Sequence, residues 1–215
     1  MKTQYRTLWQ ASSPNLNTEA KMGYTLFSNC NIYSPVDRGI PAHGRSQGEL
    51  AHYPKGCLLV SQDGNITAIG SEQDVKQAIT ALDDLITINM QGKCVIPGFV
   101  DPHTHMCFAK RREAEFELRL TGTPYLEILK QGGGILSSVR AVATATEEEL
   151  FDVTFKHAQS ALKHGTTTLE IKSGYGLDTA NELKQLAVIG RLARTGVQDI
   201  VATFLGAHAV PLEFR

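Results

Sequence analysis

The run Val95-Ile96-Pro97-Gly98-Phe99-Val100-Asp101-Pro102-His103-Thr104-His105 decides how this sequence is read. Its first half is apolar and strand-forming, and its end carries two histidines separated by a single residue. Side chains of an extended backbone alternate between faces, so His103 and His105 leave the strand on the same side and can share one metal ion. Pro97 and Pro102 cannot donate to a sheet ladder, which keeps the strand short. Its carboxyl end is where the chain leaves the sheet, and in α/β folds that end carries the chemistry.

Downstream of the histidines, helices alternate with strands. Arg111 to Leu120 has helical composition, Gly122-Thr123-Pro124 interrupts it, and Tyr125 to Gln131 resumes before Gly132-Gly133-Gly134. No Gly-Lys-Ser/Thr follows these glycines, so they read as a loop near the site rather than a phosphate loop. Thr146-Glu147-Glu148-Glu149 is a capping box with acidic residues in the first turn, opening a helix to His164 that Gly165 stops. Thr166 to Ile171 is the next strand. Asp178 or Thr179 caps a further helix, whose Leu183, Leu186, Ala187 and Gly190 form one apolar or small face, and Ile200 to Leu205 is the strand after it. Strand, helix and strand in this order form a βαβ unit.

Upstream, residues 1–22 are polar and show no sustained period. Tyr24 to Tyr33 is a strand and Pro35 to Lys55 a loop or insertion. Cys57 to Val60 and Ile66 to Gly70, joined through Asp63-Gly64-Asn65, read as a β-hairpin. A short helix from Glu72 to Leu82 and a strand from Leu85 to Met90 follow.

With 42% hydrophobic and 20% charged residues in 215, the composition is that of an ordinary globular protein. A formal net charge of −1 gives no electrostatic case for nucleic acid or an anionic membrane surface. No stretch approaches the ~20 apolar residues of a membrane span, and no apolar run of signal-peptide length follows the amino terminus. Cys30, Cys57, Cys94 and Cys107 show no Cys-x-x-Cys pair, which points to reduced thiols in a cytoplasm. Cys107 lies near the histidine pair and reads as a packing residue.

The lead-in Pro97-Gly98-Phe99-Val100-Asp101-Pro102-His103-Thr104-His105 resembles the signature of the amidohydrolase superfamily, metal-dependent hydrolases on a (β/α)8 barrel. Glu115 to Leu120, Gln131 to Ile135, Glu170-Ile171-Lys172-Ser173-Gly174-Tyr175-Gly176-Leu177 and Thr203 to Pro211 are similar to the imidazolonepropionase family within it, from Gly56 to the last residue. The resemblance implies an α/β fold: a partial (β/α)8 TIM-like barrel of about the first three strands, preceded by a small β-sandwich-type domain. Residues 1–22 form a loose polar leader, 23–94 a small β-rich domain and 95–215 the first part of the barrel, its remainder absent. A complete barrel needs roughly 250 residues and only about half of that follows Val95, so the chain reads as the front part of a longer enzyme.

The same resemblance implies one divalent metal ion, zinc or iron, with His103 and His105 as ligands. In the family a histidine and an aspartate on later strands complete the shell, outside these residues. It implies hydrolysis of 4-imidazolone-5-propanoate to N-formimidoyl-L-glutamate, a small-molecule imidazolone carboxylate as partner, neither nucleic acid nor membrane, and a homodimer. Arg112 matches the family's substrate-carboxylate arginine, although Lys110 and Arg111 beside it leave a solvated basic cluster open. Tyr175, between glycines that let a backbone approach a ligand, and His208, at a strand end, are the expected contacts to the substrate ring. His43 and His52 fall in the irregular loop, and His157 and His164 on a helix expected outside the barrel. Lys172 reads as structural or as a support to the site. Another amidohydrolase, opening a cyclic amide or deaminating a heterocycle, or a non-catalytic truncated chain that binds metal, remain as alternatives. The proton-shuttling acid is not identifiable here.

Overall fold

Apolar residues alternating along β1 (Tyr24–Pro35) allow it to bury one face, and it pairs antiparallel with β2 (Leu50–Val60). The computed structural model describes residues 23–79, 82 and 84–210. The leader expected over residues 1–22 lies outside them. The chain divides between Pro97 and Gly98 into two units.

In the first unit β2 turns through Asp63-Gly64 into β3 (Ile66–Gly70), Val60 pairing with Ile66 and Cys57 with Gly70. α1 (Glu72–Ile79) covers the sheet through Val75, while β4 (Leu85–Asn89) and β5 (Cys94–Val95) run parallel to β1. Two expectations are corrected. The loop from Pro35 to Lys55 is shorter, because β2 already begins at Leu50, where His52 stacks on Tyr33 with ring centroids 4.2 Å apart. The described residues form one five-stranded sheet rather than two facing sheets, since a helix takes the covering role.

The second unit is built on three parallel strands in the order β6 (Phe99–Thr104), β7 (Thr166–Lys172), β8 (Asp199–Thr203). The run that opens with Val95 is therefore split. Val95 belongs to β5, and the strand bearing the histidines starts at Phe99, after Pro97 has broken the ladder. Gly98 is required here because a Cβ would stand 2.2 Å from Thr167 Oγ1. Between β6 and β7 lie α2 (Glu113–Leu120), α3 (Tyr125–Lys130), α4 (Ile135–Thr144) and α5 (Glu147–Lys163), and α6 (Thr179–Thr195) joins β7 to β8. The three glycines turn the chain into α4, which the sequence pattern did not announce; Gly134 at φ 69° precedes its first residue.

Leu169 and Ile171 of β7 are fully buried against Leu150, Phe151 and Ala158 of α5 and Val188, Ile189 and Leu192 of α6. Each such aliphatic side chain contributes roughly 1.5–3 kcal/mol by leaving water. β7 alternates, so Glu170 and Lys172 occupy the opposite face. The capping box is formed: Thr146 Oγ1 accepts from the Glu149 N–H at 3.2 Å and the Glu149 carboxylate accepts from the Thr146 N–H at 2.9 Å. Thr146→Ala is expected to lower unfolding stability by about 1 kcal/mol, read as a lower urea midpoint at unchanged slope. The face of α6 differs from the expected one. Leu183 and Ala187 are exposed, and the buried residues are Glu182, Gln185, Val188, Ile189 and Leu192.

Candidate active site

Proline at position 102 removes one ladder donor from β6, and the strand responds with an irregularity. Asp101 pairs with Leu169 and Thr104 with Ile171, so β6 spends three residues where β7 spends two. The Thr104 N–H, displaced from the regular ladder, donates to Glu170 Oε2 at 3.1 Å, and Thr104 Oγ1 donates to the Glu170 carbonyl at 2.6 Å. One residue of β7 thus fixes the peptide between the histidines from both its side chain and its backbone. Lys172 donates to the other carboxylate oxygen. Burial works to raise the Glu170 pKa, but donation from Lys172, Thr203 and the Thr104 N–H outweighs it and holds the carboxyl below its ordinary value.

The His103 and His105 rings meet edge to face, with centroids 5.4 Å apart. His103 is exposed and His105 half-buried. His105 Nδ1 is buried and has no hydrogen-bond partner among the described residues. A buried orphan nitrogen costs free energy unless something takes its lone pair or its proton. Burial first, and then the electrostatic influence of the neighbouring His208, His103 and Lys172, push the His105 pKa below 6.5, against the pull of Glu170. The imidazole is therefore held neutral at pH 7, the state a metal ligand requires. The pair fits a divalent metal as two of its ligands. Among the described residues no group of three or more His, Cys, Asp or Glu is placed to hold one.

Beyond β7, Ser173-Gly174-Tyr175-Gly176 and, beyond β8, Leu205 to His208 fold over the same end of the sheet. His208 stacks on His105 at 4.8 Å between centroids and 22° between planes, and Tyr175 lies 5.7 Å from His105 and 5.4 Å from His208. Gly174, at φ 110°, permits this: a Cβ there would be 2.9 Å from His208 Nδ1. His208 Nδ1 lies 3.0 Å from the Gly174 carbonyl, which can only accept, so Nδ1 is the donor in this bond. Burial raises the Tyr175 phenol above its ordinary pKa, with the Arg112 charge opposing it.

A cleft of about 670 Å3 is lined by His105, Phe108, Arg112, Phe116, His157 and Tyr175, among others. Arg112 precedes α2 with its side chain 38% exposed and a Glu115 carboxylate oxygen at 3.6 Å. That same oxygen, Oε2, accepts from the Gly134 N–H at 3.0 Å. His103 and His208 do not line the cleft; they adjoin it through the ring of His105.

No protein-family model matches the chain. It is 58% identical over 194 residues to the imidazolonepropionase of Desulfotalea psychrophila, covering 90% of this chain and 47% of that protein. With the imidazolonepropionase of Syntrophobacter fumaroxidans it shares 57% identity over 192 residues, 89% of this chain and 45% of the relative. The chain is homologous to the imidazolonepropionases. It spans about half the length of these curated relatives. An uncharacterized metal-dependent hydrolase from Pyrococcus furiosus has the same fold, with a TM-score of 0.53 at 12% identity over 84% of this chain and 50% of that one.

His157 is a cleft residue that the sequence reading did not single out. It belongs to α5, as expected, yet its ring lies against Phe108 at 4.6 Å and its Nδ1 is 3.3 Å from the Met106 carbonyl, so it lines the cleft. Burial holds its pKa below 6.5, with the Met106 carbonyl pulling the other way. Nothing in the helical pattern could reveal it, because the partner segment is contributed by the chain after His105. Cys107 is a packing residue as read: it is fully buried, and burial pushes its thiol up to about 11. Among the described residues no helix is long and apolar enough to cross a membrane.

Proposed function

We propose that the protein containing this chain hydrolyses 4-imidazolone-5-propanoate to N-formimidoyl-L-glutamate, as an imidazolonepropionase. The observation that carries this reading is the stack of His208 on His105 with the tilted Tyr175 ring against both, beside a cleft that also holds Arg112. A flat ring edged by hydrogen-bonding groups and tailed by a carboxylate suits that combination. In this reading β6, β7 and β8 are the first three strands of a (β/α)8 barrel following a small β-rich domain, and the enzyme is a cytoplasmic homodimer.

His103 and His105 would hold the metal ion, zinc or iron, which would supply Lewis acidity and an acidified water. Arg112 receives the propanoate carboxylate through paired N–H donors and so fixes one end of the substrate. Tyr175 and His208 confine the ring beside His105, and with Nδ1 of His208 donating to the Gly174 carbonyl, its Nε2 is the atom that can hydrogen-bond the edge of the substrate ring. Water oxygen bonds to the ring carbonyl carbon, the ring C–N bond breaks, and the released nitrogen takes up a proton, opening the ring to the formimidoyl amino acid.

The test uses the natural gene product in which the chain occurs. Incubation with 4-imidazolone-5-propanoate is expected to yield N-formimidoyl-L-glutamate by mass spectrometry, with the rate lost on chelation and restored by zinc or iron. Release of ammonia from a heterocycle in its place would assign a deaminase.

A further inference from the structure

The buried face of α6 is polar where it meets the Tyr175 loop. Glu182 is 4% exposed and Gln185 is fully buried, although both residue types normally face water. Being three apart on a helix, they project from the same side. Glu182 Oε2 accepts the Gly174 N–H at 2.9 Å, while Oε1 accepts the Gly176 N–H at 2.8 Å and the Leu177 N–H at 3.0 Å. Gln185 Oε1 accepts the Tyr175 N–H at 3.0 Å, and its Nε2 donates to the Cys107 carbonyl at 2.7 Å. All four amides from Gly174 to Leu177 thus end on two side chains of α6. Gln185 also ties this loop to the segment that follows His105.

The loop is held in a conformation it would not choose alone. Leu177 stands at φ 57°, a left-handed position that costs a branched side chain free energy and persists only where its surroundings enforce it. The Glu182 carboxylate supplies that enforcement, because a carboxylate accepts at both oxygens and has no donor to turn towards an N–H.

We infer that Glu182 and Gln185 are positioning residues, which clamp the Ser173 to Leu177 loop so that the Tyr175 ring meets His105 and the substrate ring together. The inference rests on the proposed function for its substrate, while the clamp itself can be read without turnover. Glu182→Gln keeps the volume but puts an NH2 against one set of amides.

In the natural gene product, Glu182→Gln is expected to raise KM for 4-imidazolone-5-propanoate about tenfold with kcat changed far less. The penalty disappears in a Tyr175→Ala background, because the clamp acts through Tyr175. An equal penalty in both backgrounds assigns Glu182 a merely structural role and overturns the inference. By hydrogen exchange, the amides of Gly174, Gly176 and Leu177 are slow in the wild type, although outside helix and strand, and at least about tenfold faster in the variant. Fast exchange in the wild type overturns the clamp even if the variant does not fold. Absence of wild-type turnover removes the proposed function, and the exchange rates then decide the clamp by themselves.

Discussion

Replacing His105 with Ala in the natural gene product is expected to reduce kcat for imidazolone hydrolysis by at least about a thousandfold, together with loss of bound metal. The ring meets that of His103 edge to face just past the end of β6, and its buried Nδ1 has no other partner among the described residues. Lewis-acid stabilisation of a hydrolytic transition state is worth several kcal/mol, and each ~1.4 kcal/mol is a decade in rate. His105 also carries the stack to His208 and the tilted contact to Tyr175, so the variant loosens the ring pocket as well. Metal content by elemental analysis separates the two effects. His103→Ala, whose ring is exposed and makes only the edge contact to His105, should lose the metal while leaving the thermal midpoint near the wild-type value. A His105→Ala protein that keeps stoichiometric metal and normal turnover would remove these histidines from the site.

Arg112→Ala is expected to raise KM about a hundredfold while changing kcat much less. A guanidinium donating two parallel hydrogen bonds to a carboxylate contributes about 3 kcal/mol, which corresponds to that factor. The side chain is pre-placed at the cleft wall, 3.6 Å from a Glu115 carboxylate oxygen that also accepts the Gly134 N–H, so its position is already supported before substrate arrives. Lysine at this position recovers part of the loss, because it keeps the charge and forfeits the fork. The decisive comparison uses a substrate analogue without the propanoate carboxylate. Wild type and Arg112→Ala should bind it equally; a persistent difference would show that Arg112 shapes the cleft rather than recognising an anion, and Lys110 and Arg111 would become the candidates.

How far the site was legible in the sequence follows from how local each signal is. The His103 and His105 pair declares itself through its spacing at the end of one strand, and the starts of α5 and α6 through Thr146-Glu149 and Asp178, whose side chains accept from Glu149 and Asn181 N–H. Glu170 did not declare itself as the residue that secures Thr104, because that bond spans 66 positions and arises only where β6 slips against β7. The true face of α6 was misread for a related reason. Leu183 and Leu186 look like its core side, yet Leu183 is 59% exposed while Glu182 and Gln185 are buried. Polarity suggested solvent, but unpaired loop amides made burial of a carboxylate and an amide favourable.

What the sequence determined by itself is therefore most of the order of strands and helices, α4 excepted, the caps of α5 and α6, the β2–β3 hairpin and the closeness of two histidines at the end of one strand. These depend on periods, turn residues and side chains within a few positions of the backbone they satisfy. Only the tertiary structure decided that His208 stacks on His105 with Tyr175 tilted against both, that His157 lines the cleft, and that α6 buries Glu182 and Gln185. The first two join segments far apart in sequence, and the third depends on which loop amides are left unpaired, as Glu182 and Gln185 accept from the amides of Gly174 to Leu177. Local pattern carries no information about which distant carboxylate or carbonyl will be within reach.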